Sequence, residues 1–152
     1  MVKRFLLIDD DSDDRELFSE TLASVDPVSI CHPMPDGEEA LSKLASREIE
    51  KPDMIFLDIN LPVMSGWQIL AELKKKETYQ QIPVIIYSTS SNPRDKEIAK
   101  QLGALCFVTK PSNHKILKGV LEIVVVNLNH DSLKSICDSI HTFIKTHHHR
   151  YD

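Results

Sequence analysis

The stretch IFLDINLP, residues 55–62, decides the fold, because a short apolar run ends abruptly there at Asp58. A carboxylate is costly to place beside a hydrophobic layer unless its charge is used or compensated there. Similar short apolar runs occur at residues 4–8, 53–57, 83–87 and 104–108, with a weaker one at 28–32. Such runs, bounded by polar residues, indicate strands that are buried on both faces.

Segments with helical spacing of apolar residues separate these predicted strands. The apolar positions are Leu17, Phe18, Leu22 and Val25; Ala40, Leu41 and Leu44; Ile69, Leu70 and Leu73; and Ile98 and Leu102. Helix-start signals precede the first three segments, at Ser12, Asp36 and Ser65. The alternation of strand and helix predicts an α/β fold, a doubly wound, five-stranded parallel sheet with helices on both sides.

The length of 152 residues indicates one domain, at 1–128, with a carboxy-terminal extension at 129–152. Asn129 and Asp131 offer a break and a helix cap. The apolar residues that follow at helical spacing are Leu133, Ile136, Ile140, Phe143 and Ile144. We expect one amphipathic helix and a frayed tail. Packing against the domain is the favoured arrangement, and pairing with a second copy or a partner protein stays open.

Composition excludes several classes of function. The formal net charge of -5 and the pI near 5.8 argue against a nucleic-acid or anionic-membrane surface, because phosphate binding needs clustered Lys and Arg. No apolar stretch approaches the roughly 20 residues of a transmembrane helix, and no signal-peptide core is present. The cysteines Cys31, Cys106 and Cys137 are widely spaced and odd in number, which predicts reduced thiols and a cytoplasmic location.

Polar side chains follow four of the predicted strands. They are Asp9 to Asp11, Asp58 to Asn60, Ser88 to Ser90, and Thr109 to Lys110. Ligands of such sheets bind at the carboxyl ends of the strands, near a switch point in strand order. Clustered carboxylates would repel each other, and Mg²⁺ with oxygen ligands resolves that repulsion. Lys110 supplies a point charge and Ser88 a hydroxyl donor, so the ensemble is suited to hold a phosphoryl group on Asp58.

The ordered motifs LLIDDD, DGEEAL, IFLDINLPVMSGW, PVIIYSTS and LGALCFVTKP resemble the receiver domains of two-component response regulators, over roughly residues 3–127. The segments DDDSDDREL, STSSNPRD and KPSN look most like stand-alone, CheY-like receivers that partner phytochrome-type sensor histidine kinases. The resemblance implies a flavodoxin-like sheet of order 2-1-3-4-5. It also implies a partner that is a sensor histidine kinase or a histidine phosphotransfer protein.

The resemblance assigns a role to each residue of the phosphoryl site. Asp58 would accept the phosphoryl group from a kinase phosphohistidine. Asp10, Asp58 and the backbone carbonyl of Asn60 would ligate Mg²⁺, with Asp9 acting largely through water. Ser88 and Lys110 would contact the phosphoryl oxygens.

Three further features of the site are implied by the same resemblance. Ser88 and Phe107 would form the conformational switch, although Phe107 lacks the hydroxyl of the tyrosine often found in the family. Asn60 and Ser90 would tune the lifetime of the phosphoryl group. The bond between Lys110 and Pro111 is expected to be cis.

Three functional classes compete. The leading one is a single-domain response regulator of a phosphorelay. Such a protein catalyses only its own phosphorylation and dephosphorylation, and it signals by binding other proteins. It could dimerise through the face from the fourth to the fifth helix or through the carboxy-terminal helix. A phosphatase of the haloacid dehalogenase type also uses an aspartate, a lysine and Mg²⁺, but its nucleophile precedes its acidic pair, and here Asp9 and Asp10 precede Asp58. A pseudo-receiver would keep the fold as a binding module without phosphorylation.

Overall fold

The computed structural model describes residues 2–130 and 132–151, without the side chains of residues 148–151. Its five strands are β1 Arg4–Ile8, β2 Ile30–Met34, β3 Met54–Leu57, β4 Val84–Ser88 and β5 Cys106–Thr109. All neighbouring strands pair in parallel, in the order β2-β1-β3-β4-β5. The predicted fold class and strand order are therefore confirmed.

Six helices connect and follow the strands. They are α1 Ser12–Val25, α2 Gly37–Ser46, α3 Gly66–Lys75, α4 Pro93–Gln101, α5 His114–Asn129 and α6 Leu133–Tyr151. Asp36 and Ser65 cap α2 and α3, as their positions predict. The cap of α1 is Asp11 and not Ser12, since the Asp11 carboxylate accepts the backbone N–H of Asp14 at 3.0 Å.

The sheet separates two apolar layers. Alternate residues of each strand face opposite sides, so that Phe5 packs with α1, α5 and α6 while Leu6 packs with α2, α3 and α4. The three central strands β1, β3 and β4 are almost entirely buried. Within the described ranges, no helix is long and apolar enough to cross a membrane.

Helix α6 packs against α5 and β5. Ile136 and Ile140 are fully buried in the same core layer as α5. Phe143 fills the space above Gly119 of α5, where the Cβ of any larger residue would overlap its ring. The helix continues to Tyr151, where the sequence predicted a frayed tail, while the predicted cap Asp131 lies outside the described residues. The domain boundary at residue 128 stays a prediction.

Two of the three cysteines are not reduced thiols. A disulfide joins Cys106 of β5 to Cys137 of α6, and Cys31 is the free cysteine of the described chain. The prediction of reduced thiols is therefore wrong for this pair. It rested on spacing along the sequence, whereas the pairing arises because α6 folds back across β5 over a separation of 31 residues.

We predict that Cys137→Ser destabilises the oxidised protein by about 3–4 kcal/mol, because it removes the cross-link that limits the unfolded chain. The free energy of unfolding is measured by urea denaturation without reductant. Cys31→Ser is the matched control and should change the stability much less. If reduction leaves the wild-type unfolding midpoint unchanged, the disulfide contributes nothing to stability and the prediction fails.

Candidate functional site

Two buried carboxylates meet at the switch point of the sheet. Asp9 and Asp58 directly follow β1 and β3, whose last residues Ile8 and Leu57 are register partners. The Asp58 backbone N–H donates to the carbonyl of Ile8 at 3.0 Å, which fixes the two strand ends side by side. Asp9 is fully buried and Asp58 is 6% exposed. Strand pairing alone therefore brings together two acids that are 49 positions apart in the sequence.

The carboxylates of Asp9, Asp10 and Asp58 fit a divalent cation. One oxygen from each lies within 4.8 Å of the others, and Asp10 is exposed. Among the described residues, the buried Oδ2 atom of Asp9 makes no hydrogen bond of good geometry, although Nζ of Lys110 lies 2.8 Å away as an ion-pair partner. Lys110 compensates part of the charge of these buried carboxylates, and a divalent cation would compensate more of it. Asn60 lies at the same edge, where its N–H donates to Oδ1 of Asp58 at 3.2 Å.

Lys110 brings a positive charge to the same pocket. Its Nζ atom lies 3.0 Å from Oδ2 of Asp58, and 2.8 Å from Oδ2 of both Asp9 and Asp14. Only 9% of the Lys110 side chain is exposed. Nζ also lies 5.7 Å from the ring centroid of Tyr87, within cation–π range. Three carboxylates thus contact one ammonium, and Asp10 lies beside two of them, so the acidic side chains of the pocket outnumber its ammonium group.

Burial determines the direction of the pKa shift of Asp9, whereas ion pairing determines that of Lys110. Burial raises the pKa of Asp9, because removal from water penalises its ionised form, and the contacts with Lys110 and the Asp11 N–H only partly oppose this. Burial alone would lower the pKa of Lys110, but its bonds to Asp14, Asp9 and Asp58 outweigh burial and raise it. Lys110 therefore stays protonated, and the ionised Asp9 destabilises the metal-free fold.

We predict that Asp9→Asn raises the melting temperature in EDTA near neutral pH. The pKa of Asp9 in the folded protein lies above its ordinary value of 3.8. Protonation of Asp9 therefore stabilises the native state fully at pH values below this ordinary pKa, and the stabilisation is lost as the pH rises through the folded pKa. The variant's advantage should accordingly shrink on acidification. Melting curves as a function of pH test this, and an advantage that grows toward low pH would contradict it.

Ser88 and Ser90 occupy the end of β4. Ser88 is fully buried, and its Oγ accepts the N–H of Ser90 at 3.3 Å. The Ser90 hydroxyl donates to Oδ2 of Asp95 in the first turn of α4 at 2.6 Å. The Lys110 N–H donates to the Ser88 carbonyl at 2.7 Å, so β4 and β5 hold the serine and the lysine at one edge.

Phe107 lies in β5, three residues before Lys110, and is 7% exposed. Its ring packs in the layer of α2, α3 and α4, and its carbonyl oxygen lies 3.1 Å from Nε2 of His141 on α6. The bond between Lys110 and Pro111 is trans, so the predicted cis bond is wrong. The trans form is intrinsically favoured by about 0.5–1 kcal/mol, and Lys110 reaches the carboxylates without the cis geometry.

Sequence reasoning missed three residues at the site. From the sequence, Asp14 has no assigned role, and Tyr87 is only the last residue of a predicted strand. Gly66 begins α3 against the backbone of Asp58, where a Cβ would overlap the Asp58 carbonyl. A signal for Asp14 is its place in the first turn of the helix that directly follows the strand end bearing Asp9 and Asp10.

The family model of the response regulator receiver domain matches residues 5–122. Response regulator Rcp1 of Synechocystis sp. is 35% identical over 121 residues, which cover 76% of this chain and 81% of that protein. A protein-glutamate methylesterase/protein-glutamine glutaminase of Syntrophomonas wolfei is 31% identical over 136 residues, or 88% of this chain. The chain spans only 35% of that methylesterase and 24% of a probable cyclic di-GMP phosphodiesterase of Vibrio cholerae.

Solved structures give the same result. The phosphorylated cyanobacterial phytochrome response regulator RcpA has a TM-score of 0.77 at 31% identity, over 84% of this chain and 94% of that chain. The Mn²⁺-bound form of response regulator Rcp1 has a TM-score of 0.71 at 31% identity, over 79% of this chain and 89% of that one.

Proposed function

The chain belongs to the response regulator receiver domain family of two-component signalling, and from that premise we propose that Asp58 accepts a phosphoryl group from a histidine kinase or histidine phosphotransfer protein. The observation that carries the proposal is the buried Asp58 carboxylate, which touches Lys110 at 3.0 Å and shares a cation-sized cluster with Asp9 and Asp10. A carboxylate so placed is a nucleophile with its charge compensation already assembled.

Asp9, Asp10 and Asp58 would hold Mg²⁺ together with the backbone carbonyl of Asn60. When bound, the ion would neutralise charge on the transferring phosphoryl group. The all-oxygen donor set suits Mg²⁺ or Mn²⁺, and the Mn²⁺-bound relative supports this choice.

The side chains of the site would contribute to phosphoryl transfer through their positions and charges. The Asp58 backbone, anchored to β1, holds the carboxylate in line for attack on the donor phosphorus while the donor group leaves with its electron pair. Lys110 supplies a fixed positive charge to an equatorial oxygen, and the Ser88 hydroxyl donates to another. Asn60 and Ser90 would tune the lifetime of the acyl phosphate by controlling the access of an attacking water.

The conformational switch would run from Ser88 to Phe107. Movement of the Ser88 hydroxyl toward the phosphoryl group would open space for the Phe107 ring, shifting an existing equilibrium. Phe107 lines a surface cavity of about 570 Å³ that also includes Lys96 and Lys100 of α4 and His141 of α6. This cavity connects the switch residue to a face that a protein partner could bind.

A homodimer could form through the face of α4, β5 and α5 or through α6, but α6 packs against α5 and β5 of its own chain and covers part of the first face. Ile136 and Ile140 of α6 are already fully buried against the same chain. The proposal includes a phytochrome-type sensor kinase as donor, in keeping with the phytochrome response regulators among the relatives. It also includes a cytoplasmic location, for which the disulfide removes the support of reduced cysteines.

Incubation with acetyl phosphate and Mg²⁺, followed by intact-mass measurement, tests the proposal. One phosphoryl group should be added per chain, and none should be added in EDTA. Turnover of free phosphomonoesters should stay at background, because the site provides for a single transfer to Asp58. Sustained hydrolysis of phosphomonoesters would favour a phosphatase, and a chain that stays unlabelled with all donors would favour a pure binding module.

A further inference from the structure

We propose that Asp14 is a positioning residue that holds the Lys110 ammonium when a divalent cation occupies Asp9 and Asp58. The inference rests on the proposed function of the site. Asp14 thereby raises the affinity of the pocket for the cation, although it is not one of the cation's ligands.

The contacts of Lys110 divide into two kinds. Its Nζ atom pairs with Oδ2 of Asp9 and of Asp58, and both of these residues belong to the cation cluster. Its third partner is Oδ2 of Asp14, at 2.8 Å, and Asp14 lies outside that cluster. An ammonium and a divalent cation would therefore compete for the first two carboxylates, but not for the third.

Competition has a clear electrostatic consequence. Two cations that share the same buried oxygens repel each other strongly, because the pocket excludes most water. Either the Lys110 ammonium gives up part of its contact with Asp9 and Asp58 when the metal binds, or the metal binds weakly. Asp14 offers the ammonium a carboxylate at hydrogen-bond distance while its Nζ atom remains near Asp58.

Asp14 is held where it can do this. Its backbone N–H donates to the Asp11 carboxylate, which caps α1 and fixes the first turn. The next residue, Arg15, donates from Nη1 to the backbone carbonyl of Asp9 at 2.8 Å. The helix start is therefore tied to the strand end that bears Asp9.

A simpler role for Asp14 would be to stabilise the start of α1, where any acidic side chain is favourable. Asp13 occupies the same turn, is exposed, and is not among the three carboxylates that pair with Lys110 in the described part of the chain. Replacing Asp13 removes the same formal charge from the adjacent position. Asp13→Asn is thus a matched control that separates the contact with Lys110 from the general field of the helix start.

The test is a Mn²⁺ titration of the full chain, in which free Mn²⁺ is counted by electron paramagnetic resonance. Asp14→Asn should weaken Mn²⁺ binding about fivefold, the effect of losing one partly exposed ion pair, and Asp13→Asn by less than about twofold. Equal losses in both variants, or no loss in Asp14→Asn, would overturn the inference.

A double-mutant cycle with Lys110→Met decides the mechanism. If Asp14 acts by holding Lys110, then Asp14→Asn should weaken Mn²⁺ binding no more than Asp13→Asn does once Lys110 is gone. An undiminished effect in that background would overturn the inference. The outcome does not depend on phosphorylation of Asp58, which the acetyl phosphate experiment tests on the wild-type chain.

Discussion

Asp58→Asn should gain no phosphoryl group from acetyl phosphate and Mg²⁺ under conditions that label the wild-type chain. An asparagine amide is not a nucleophile toward phosphorus and cannot form the acyl phosphate. Its size and shape match those of aspartate, and it can still accept the N–H of Asn60, so the fold should be retained. Intact-mass measurement gives the labelled fraction, and circular dichroism checks the fold.

Asp53→Asn is the matched control for this experiment. Asp53 immediately precedes β3 and is exposed, and it accepts the N–H of Arg4 at 2.7 Å, as an asparagine also could. This variant should be labelled like the wild type. Persistent labelling of Asp58→Asn, mapped to any other side chain, would remove Asp58 from its proposed role.

Lys110→Met should destabilise the protein in EDTA by about 3–5 kcal/mol, because it leaves buried carboxylates without their cation. Mg²⁺ should then recover much of that loss. Saturating Mg²⁺ should raise the free energy of unfolding more in this variant than in the wild type, since no ammonium competes for Asp9 and Asp58. Urea denaturation with and without Mg²⁺ measures both quantities.

Lys118→Met provides the control, because Lys118 is an exposed residue of α5 and its replacement removes the same charge. It should change neither the stability nor the response to Mg²⁺. A smaller Mg²⁺ response in Lys110→Met than in the wild type would mean that the ammonium and the metal do not share carboxylates. That result would also count against the role inferred for Asp14.

The sequence predicts the central strands of this fold well and the edge strand less well. Strands β1, β3 and β4 are buried on both faces, and continuous apolar runs record that burial directly. Strand β2 lies at the edge of the sheet and contains His32 and Pro33, so its apolar signal is weak. The prediction placed it at residues 28–32, two residues before its observed start at Ile30.

At the site, the sequence identifies the polar residues that directly follow the strands. It does not reveal contacts between segments that lie far apart in the sequence. Asp9 and Asp58 could be paired because parallel strands bring their carboxyl ends to one edge. The contact between Asp14 and Lys110 spans 96 positions, and the Cys106–Cys137 disulfide depends on how α6 crosses β5. Neither has a periodic or local signature. The trans bond before Pro111 departs from what the family resemblance implied.

A crystal structure with Mg²⁺ and beryllofluoride tests the central claim most directly, because beryllofluoride imitates a phosphoryl group on a carboxylate. We predict beryllium bonded to a carboxylate oxygen of Asp58, with Lys110 and the Ser88 hydroxyl contacting its fluorine atoms. A pocket that holds Mg²⁺ at saturation but carries no beryllofluoride on Asp58 would contradict the account.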